Sequence, residues 1–211
     1  MNQTTFTPED FQVFQVEGLD ERMQAIRSQI QPKFRALGAL FTKELAVLLG
    51  EELPVHIAQH LRRTKNPPLD TWSAIGGNAR GYKRFPHFQL GLYEDHIFIW
   101  LAFIDQPQFE VEMANALIKA RDMFEQVPAD YVVSLDHHQK KVTPIKELDL
   151  KKGLERWRDV KKAEFLIGRQ ILATDALLKN PEATQAYILE TFVTLVPFYQ
   201  LAFQAYPNEI N

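Results

Sequence analysis

His96-Ile97-Phe98-Ile99-Trp100-Leu101-Ala102-Phe103-Ile104 is the stretch whose reading decides the fold. Its residues are mostly branched or aromatic, and after His96 no polar residue alternates with them. A strand with one wet face alternates, whereas one that is apolar throughout must be covered on both faces. The run therefore predicts a central strand, and it is too short to cross a bilayer as a helix. Toward the N-terminus, Glu94-Asp95 makes a tight connection to a second β-prone run, Phe85 to Leu92. Gly76-Gly77 separates that run from a third, Thr71 to Ile75. Val55, Ile57 and Gln59 alternate with His56, Ala58 and His60, which predicts one more strand. Asn66-Pro67-Pro68 must be loop, because proline brings no amide donor to a ladder.

Toward the C-terminus, Val111, Ala114, Leu117, Ile118, Arg121 and Phe124 keep helical phase across 108–126. Tyr131 to Leu135 and Lys141 to Ile145 predict a hairpin around Asp136-His137-His138-Gln139. Leu150 to Lys162 predicts a charged amphipathic helix, and Phe165 to Leu172 either a strand or that helix's extension. Helices flank the strand region. Thr7-Pro8-Glu9-Asp10 carries an N-cap, an N1 proline and acids for the first turn. From Asp20 an apolar stripe runs through Met23, Ile26, Ile30, Phe34, Leu37, Phe41 and Leu45 to a stop at Gly50, with Pro32 either kinking it or starting anew. Asn180-Pro181-Glu182 starts the last helix, where Pro197 is expected to kink. Strands joined by short turns, with helices mainly before and after, predict an α+β fold: one domain over residues 1–211, with a mainly antiparallel sheet backed by helices.

Composition narrows the function classes. The chain has 211 residues, 45% apolar and 24% charged, as an ordinary single domain does. It has no cysteine, which removes disulfides, thiolate metal sites and cysteine nucleophiles together. Met1 to Gly18 is polar and acidic, without the pattern of a signal peptide, so the expectation is a cytoplasmic protein with no membrane partner. The net charge of −3 is unevenly spread. Within 61–90 six bases face one acid, and within 140–169 ten bases face five acids, so the rest of the chain is strongly acidic.

The first basic segment carries the main candidate site. Arg62, Arg63, Arg80, Lys83 and Arg84 flank Gly76-Gly77-Asn78-Ala79 and the rigid Pro67-Pro68 loop, a combination suited to a small anionic or phosphorylated ligand. The glycine spacing fits neither a Walker A loop nor a dinucleotide fingerprint. The competing account is a hairpin whose glycines merely supply positive φ beside solvated cations. The enzyme alternative pairs His87 with a carboxylate such as Asp70 as acid and base beside the same site. A third alternative is a protein-interaction scaffold using the apolar final helix. His56 and His60 lack the intervening glutamate of a zinc-protease helix and, on a strand, stand about 13 Å apart. His96 is expected near His87 or Asp95. His137 and His138 are expected on the surface of a hairpin turn. No cofactor signature and no metal set follow from these spacings. Trp72, Tyr82, Phe85, Phe88, Tyr93 and Trp100 interleave with the basic block as base-stacking residues do, but aromatic strand faces are ordinarily core, so nucleic acid is not the expected partner. The oligomeric state is not fixed by these patterns.

Arg62-Arg63-Thr64, Asn66-Pro67-Pro68 and Asp70-Thr71-Trp72, followed by Gly81-Tyr82-Lys83, Pro86-His87-Phe88-Gln89 and Gly91-Leu92, look like the YktB-like family of Gram-positive bacterial proteins. Phe11, Phe14, Gly18-Leu19 and Arg22-Met23 fit it too, so the resemblance covers nearly the whole chain. It implies an α+β domain with an antiparallel sheet. It implies no activity and brings no catalytic residues to carry over.

Overall fold

The computed structural model of the protein describes residues 5–206. Within them seven strands form one sheet: β1 (Val55–Ile57), β2 (Asp70–Gly76), β3 (His87–Tyr93), β4 (His96–Phe103), β5 (Val132–Ser134), β6 (Thr143–Pro144) and β7 (Phe165–Leu172). Their spatial order is β1-β2-β3-β4-β7-β5-β6, and every pairing is antiparallel. The apolar run beginning at His96 is β4, the middle strand, and all of it is buried. Phe165 to Leu172 resolves as a strand against β4, with Trp100 opposite Gly168. The α+β, antiparallel expectation therefore holds.

Among the described residues five α-helices accompany the sheet: α1 (Leu19–Ala25), α2 (Gln31–Leu49), α3 (Glu110–Lys119), α4 (Leu150–Asp159) and α5 (Pro181–Phe203). Pro8–Gln15 is a 3₁₀ helix, closed by the Asp10 carboxylate accepting from the Thr7 backbone N–H at 2.7 Å. Pro32 has no N–H to give to the turn before it, and that turn, Ile26–Ile30, widens to a π-turn. Gly50 ends α2 at φ 77°, as its position predicts. The helix expected over 108–126 breaks at Ala120 into α3 and a 3₁₀ segment, Arg121–Gln126. The helix expected to Lys162 stops at Asp159, with Asp149 capping its start by accepting from Lys152 N–H at 3.1 Å. Asn180 caps α5 in the same way, and the helix continues through Pro197 to Phe203.

Strand alternation sorts the core into two layers. Phe88, Leu90, Leu92, Ile97, Ile99, Leu101, Phe103, Phe165 and Ile167 face the helices. Phe192 of α5 meets Phe41 of α2 at 5.7 Å and Phe88 at 5.2 Å between ring centroids, which ties both long helices to the sheet centre. α5 is long and apolar enough to cross a membrane by length and composition, and here Ile188, Phe192, Leu195 and Tyr199 pack it into this layer. Tyr93, Phe98, Trp100, Ala102, Ile104 and Leu166 point the other way, joined by Trp72, Val132 and Val142. Among the described residues the cover of this second face is the β5–β6 connection, which folds over it as a strap.

Candidate functional site

The turn between β2 and β3 builds the first site. Asn78 and Gly81 exchange both backbone hydrogen bonds at 3.0 Å, and the Asn78 side chain accepts from Arg80 N–H at 2.9 Å. Gly77 sits at φ 77°, where a Cβ would also run into the backbone of Gly81 and Tyr82, so only glycine fits. These bonds consume amide donors inside the turn, so the backbone does not present the open anion nest that the glycines suggested. Arg80, Lys83 and Arg84 line an open cleft of about 890 Å³ together with His56, Asn78, Tyr82 and Gln108. The far side of the turn is fixed: Arg84 C=O accepts from Gln108 N–H at 2.9 Å and from the Tyr206 hydroxyl at 2.8 Å, while Phe85 stacks on Tyr206.

Charge in this cleft is only partly compensated. Lys83 is ion-paired with Asp105. Among the described residues no carboxylate pairs with Arg80 or Arg84. Burial lowers the pKa of His56, keeping its imidazole neutral, and raises that of Tyr82 to about 12. The Tyr82 hydroxyl accepts from Trp72 Nε1–H at 2.8 Å, forming a wall between the cleft and the second face of the sheet.

Arg62 and Arg63 do not join this group. They are exposed in the loop before β2, at its Asp70 end, whereas the cleft lies beyond the Gly76 end. Seven residues of strand separate the two ends by about 20 Å. The same register separates the acid–base candidates. Gly76 pairs with His87 and Asp70 pairs with Tyr93, so His87 and Asp70 lie at opposite ends of the ladder. His87 is fully buried; its Nδ1 donates to Phe85 C=O at 2.8 Å and its Nε2 accepts from the Gln89 amide at 2.9 Å. Burial pushes its pKa down to about 4, and both nitrogens are committed to structure. His96 bonds Asp95 at 2.7 Å, as its neighbourhood suggested, and lies at the other end of β3–β4 from His87. His60 sits beyond the end of β1 against Thr71 at 3.2 Å, separate from His56.

The constellation that spacing did not reveal is carried by the strap. The strap holds itself to the sheet through His137. Its backbone N–H donates to Glu164 Oε2 at 2.8 Å, its C=O accepts from the Tyr93 hydroxyl at 3.0 Å, and its Nδ1 lies 2.7 Å from both Glu164 oxygens. Glu164, only 7% exposed, also accepts from Asp105 N–H at 3.3 Å. Lys140 secures the far side of the strap to Glu94 at 2.8 Å and Asp95 at 3.0 Å. His137 is thus half-buried and anchored, a correction to its expected place on an exposed turn; His138 is exposed. Beneath the strap, Asp70, Trp72, Gln89, Tyr93, His96 and His137 border a hollow of about 10 Å³, room for one water molecule. Desolvation raises the Asp70 pKa there, opposed by the nearby His137.

A family model described as a domain of unknown function, DUF1054, matches residues 6–199. The chain is 52% identical over 201 residues to a UPF0637 protein of Shouchella clausii, covering 95% of each. It is 53% identical over 197 residues to a UPF0637 protein of Enterococcus faecalis, covering 93% of this chain and 97% of that one. Against a UPF0637 protein of Listeria monocytogenes it is 41% identical over 199 residues, 94% of this chain and 98% of that one.

Proposed function

The chain belongs to the DUF1054 family, the YktB-like group of Gram-positive bacterial proteins, and since that membership assigns no activity, we propose from the geometry that it binds a small anionic or phosphorylated ligand in the cleft over Arg80, Lys83 and Arg84. The observation that carries the reading is that Arg80 and Arg84 border one cleft without carboxylate partners of their own among the described residues. A guanidinium meets a phosphate through two parallel N–H donors, and such charge-assisted bonds are roughly twice as strong as neutral ones. The pinned backbone on both sides of Arg84 limits the ordering entropy that binding costs. His56, neutral and beside the arginines, adds a hydrogen-bonding group without charge. The compartment that goes with this reading is the cytoplasm.

Pyrophosphate is a suitable probe, titrated by calorimetry and by thermal shift at low salt. The expected result is saturable binding and a raised Tm. Both should be lost in the Arg80→Ala/Arg84→Ala variant and weakened by added salt. Arg62→Ala/Arg63→Ala, some 20 Å away by strand length, should bind as the parent does. Equal binding by the Arg80/Arg84 variant, or no binding of phosphate or pyrophosphate at low salt, overturns the reading.

A further inference from the structure

We propose that Asp136, His137 and Glu164 form a binding site for a divalent transition-metal ion, with free coordination positions facing the cleft beside the strap. One ligand atom from each residue lies within 4.8 Å of the others. Two come from the strap and one from the residue preceding β7, and the His137 N–H bond to Glu164 fixes their relative positions. His137 Nδ1 stands equally far, at 2.7 Å, from the two Glu164 oxygens, and a metal ion would sit between them. Ligands at zinc–nitrogen and zinc–oxygen distances of about 2.0–2.1 Å stand about 3.3 Å apart in a tetrahedron, so loading requires the pair to spread by only about 0.6 Å.

Two further features fit a metal better than an ion pair alone. His137 borders the small hollow that Asp70 shares, while Asp136 and Glu164 line the outer cleft of about 450 Å³. Asp70, half-buried on the same hollow and within the electrostatic reach of His137, is a carboxylate of the kind that orients a metal-bound histidine. In addition, a three-donor set of which Asp136 and Glu164 line a cleft matches the pattern of sites that keep a position for water or substrate, rather than that of closed structural sites. One imidazole, two carboxylates and no sulfur suit zinc, manganese, iron(II) or cobalt, and not copper(I). Arg156 and Lys162 on the same cleft supply charge for an anionic molecule reaching the open positions. The site stands independently of the Arg80–Arg84 cleft.

The test uses the full chain, stripped with chelator and titrated with Zn²⁺ by calorimetry and with Co²⁺ by visible absorption. The expected result is one saturable equivalent, with cobalt bands of a low-symmetry nitrogen–oxygen site. Asp136→Asn keeps the amide oxygen that accepts from His138 N–H at 2.9 Å, so it preserves the loop while removing one charged ligand, and it should weaken binding at least about tenfold. Glu164→Gln should abolish the cobalt bands, and Asp70→Asn should weaken binding about 10–100-fold without removing them. Arg80→Ala/Arg84→Ala should leave metal binding intact. Absence of a saturable equivalent, or binding unchanged in Asp136→Asn, overturns the proposal; because Asp136 is exposed, that variant decides the matter even if Glu164→Gln fails to fold.

Discussion

Replacing Glu164 by glutamine isolates what one buried carboxylate does for the strap. Glu164 accepts the backbone N–H of His137 and of Asp105 and faces His137 Nδ1. Glutamine of the same length offers one oxygen and one NH₂ group, so at least one converging donor meets another donor. Losing a hydrogen bond to a charged acceptor costs about 1.5–3 kcal/mol, and leaving a buried donor unpaired adds about 1–3 kcal/mol. At 7% exposure water replaces these bonds only in part, and removing the charge also removes the cost of having buried it. The lost hydrogen bonding outweighs that relief, and the net loss is about 2–4 kcal/mol. A chain of this length loses about 2–4 °C of Tm per kcal/mol, so the fall should be about 4–16 °C. Urea unfolding should show a lower midpoint with unchanged slope, and amide exchange at His137 should accelerate from the protected range toward that of a loop. A change below about 0.5 kcal/mol, with His137 still protected, would refute the idea that the carboxylate holds the strap.

Acidification should destabilise the protein through His87. Its folded pKa of about 4 lies below the ordinary 6.5, so the unfolded chain takes up the proton first; the contribution is complete above about pH 6.5 and disappears as pH falls toward 4. The shift is worth about 3 kcal/mol at 1.36 kcal/mol per unit, and identical urea midpoints at pH 7 and 4.5 would contradict it. Gly168→Ala places a Cβ against the carbonyl oxygen of Ile99 on the neighbouring strand, backbone that has nowhere to go. It should cost about 3 kcal/mol, the upper end of ordinary overpacking, and a soluble variant with parental Tm would show that the β4–β7 pairing yields easily. Phe192→Ala removes the ring joining α2, α5 and β3 and should cost about 3–5 kcal/mol, measured by chemical denaturation.

The sheet centre was readable because continuous apolarity over 96–104 has one economical explanation, burial on both faces. The 165–172 segment was ambiguous for a local reason: its apolar residues suit either period, and only pairing with β4 decides between them. The basic cluster was half readable. Arg80, Lys83 and Arg84 share one turn and had little choice but to sit together, whereas Arg62 and Arg63 are parted from them by strand length, which composition does not encode. Pairing His87 with Asp70 failed for the same reason: antiparallel register carries residues near in the basic block to opposite ends of a ladder. His137 and Glu164 are 27 positions apart, one in a turn and one before a strand. Their meeting depends on the strap folding back across the sheet, a long-range event without local periodicity. Glu164, directly before the apolar 165–172 run, carried no local signal of that meeting.

The sheet ends in β1, three residues long, on one side and β6, two residues long, on the other. Half of β6 is Pro144, which has no amide hydrogen to offer an incoming chain. So short a margin gives a stray strand almost nothing to zip onto at β1 or β6. Concentrated solutions of the folded protein should therefore resist edge-to-edge aggregation, and association between copies would have to proceed through side chains instead of shared backbone ladders.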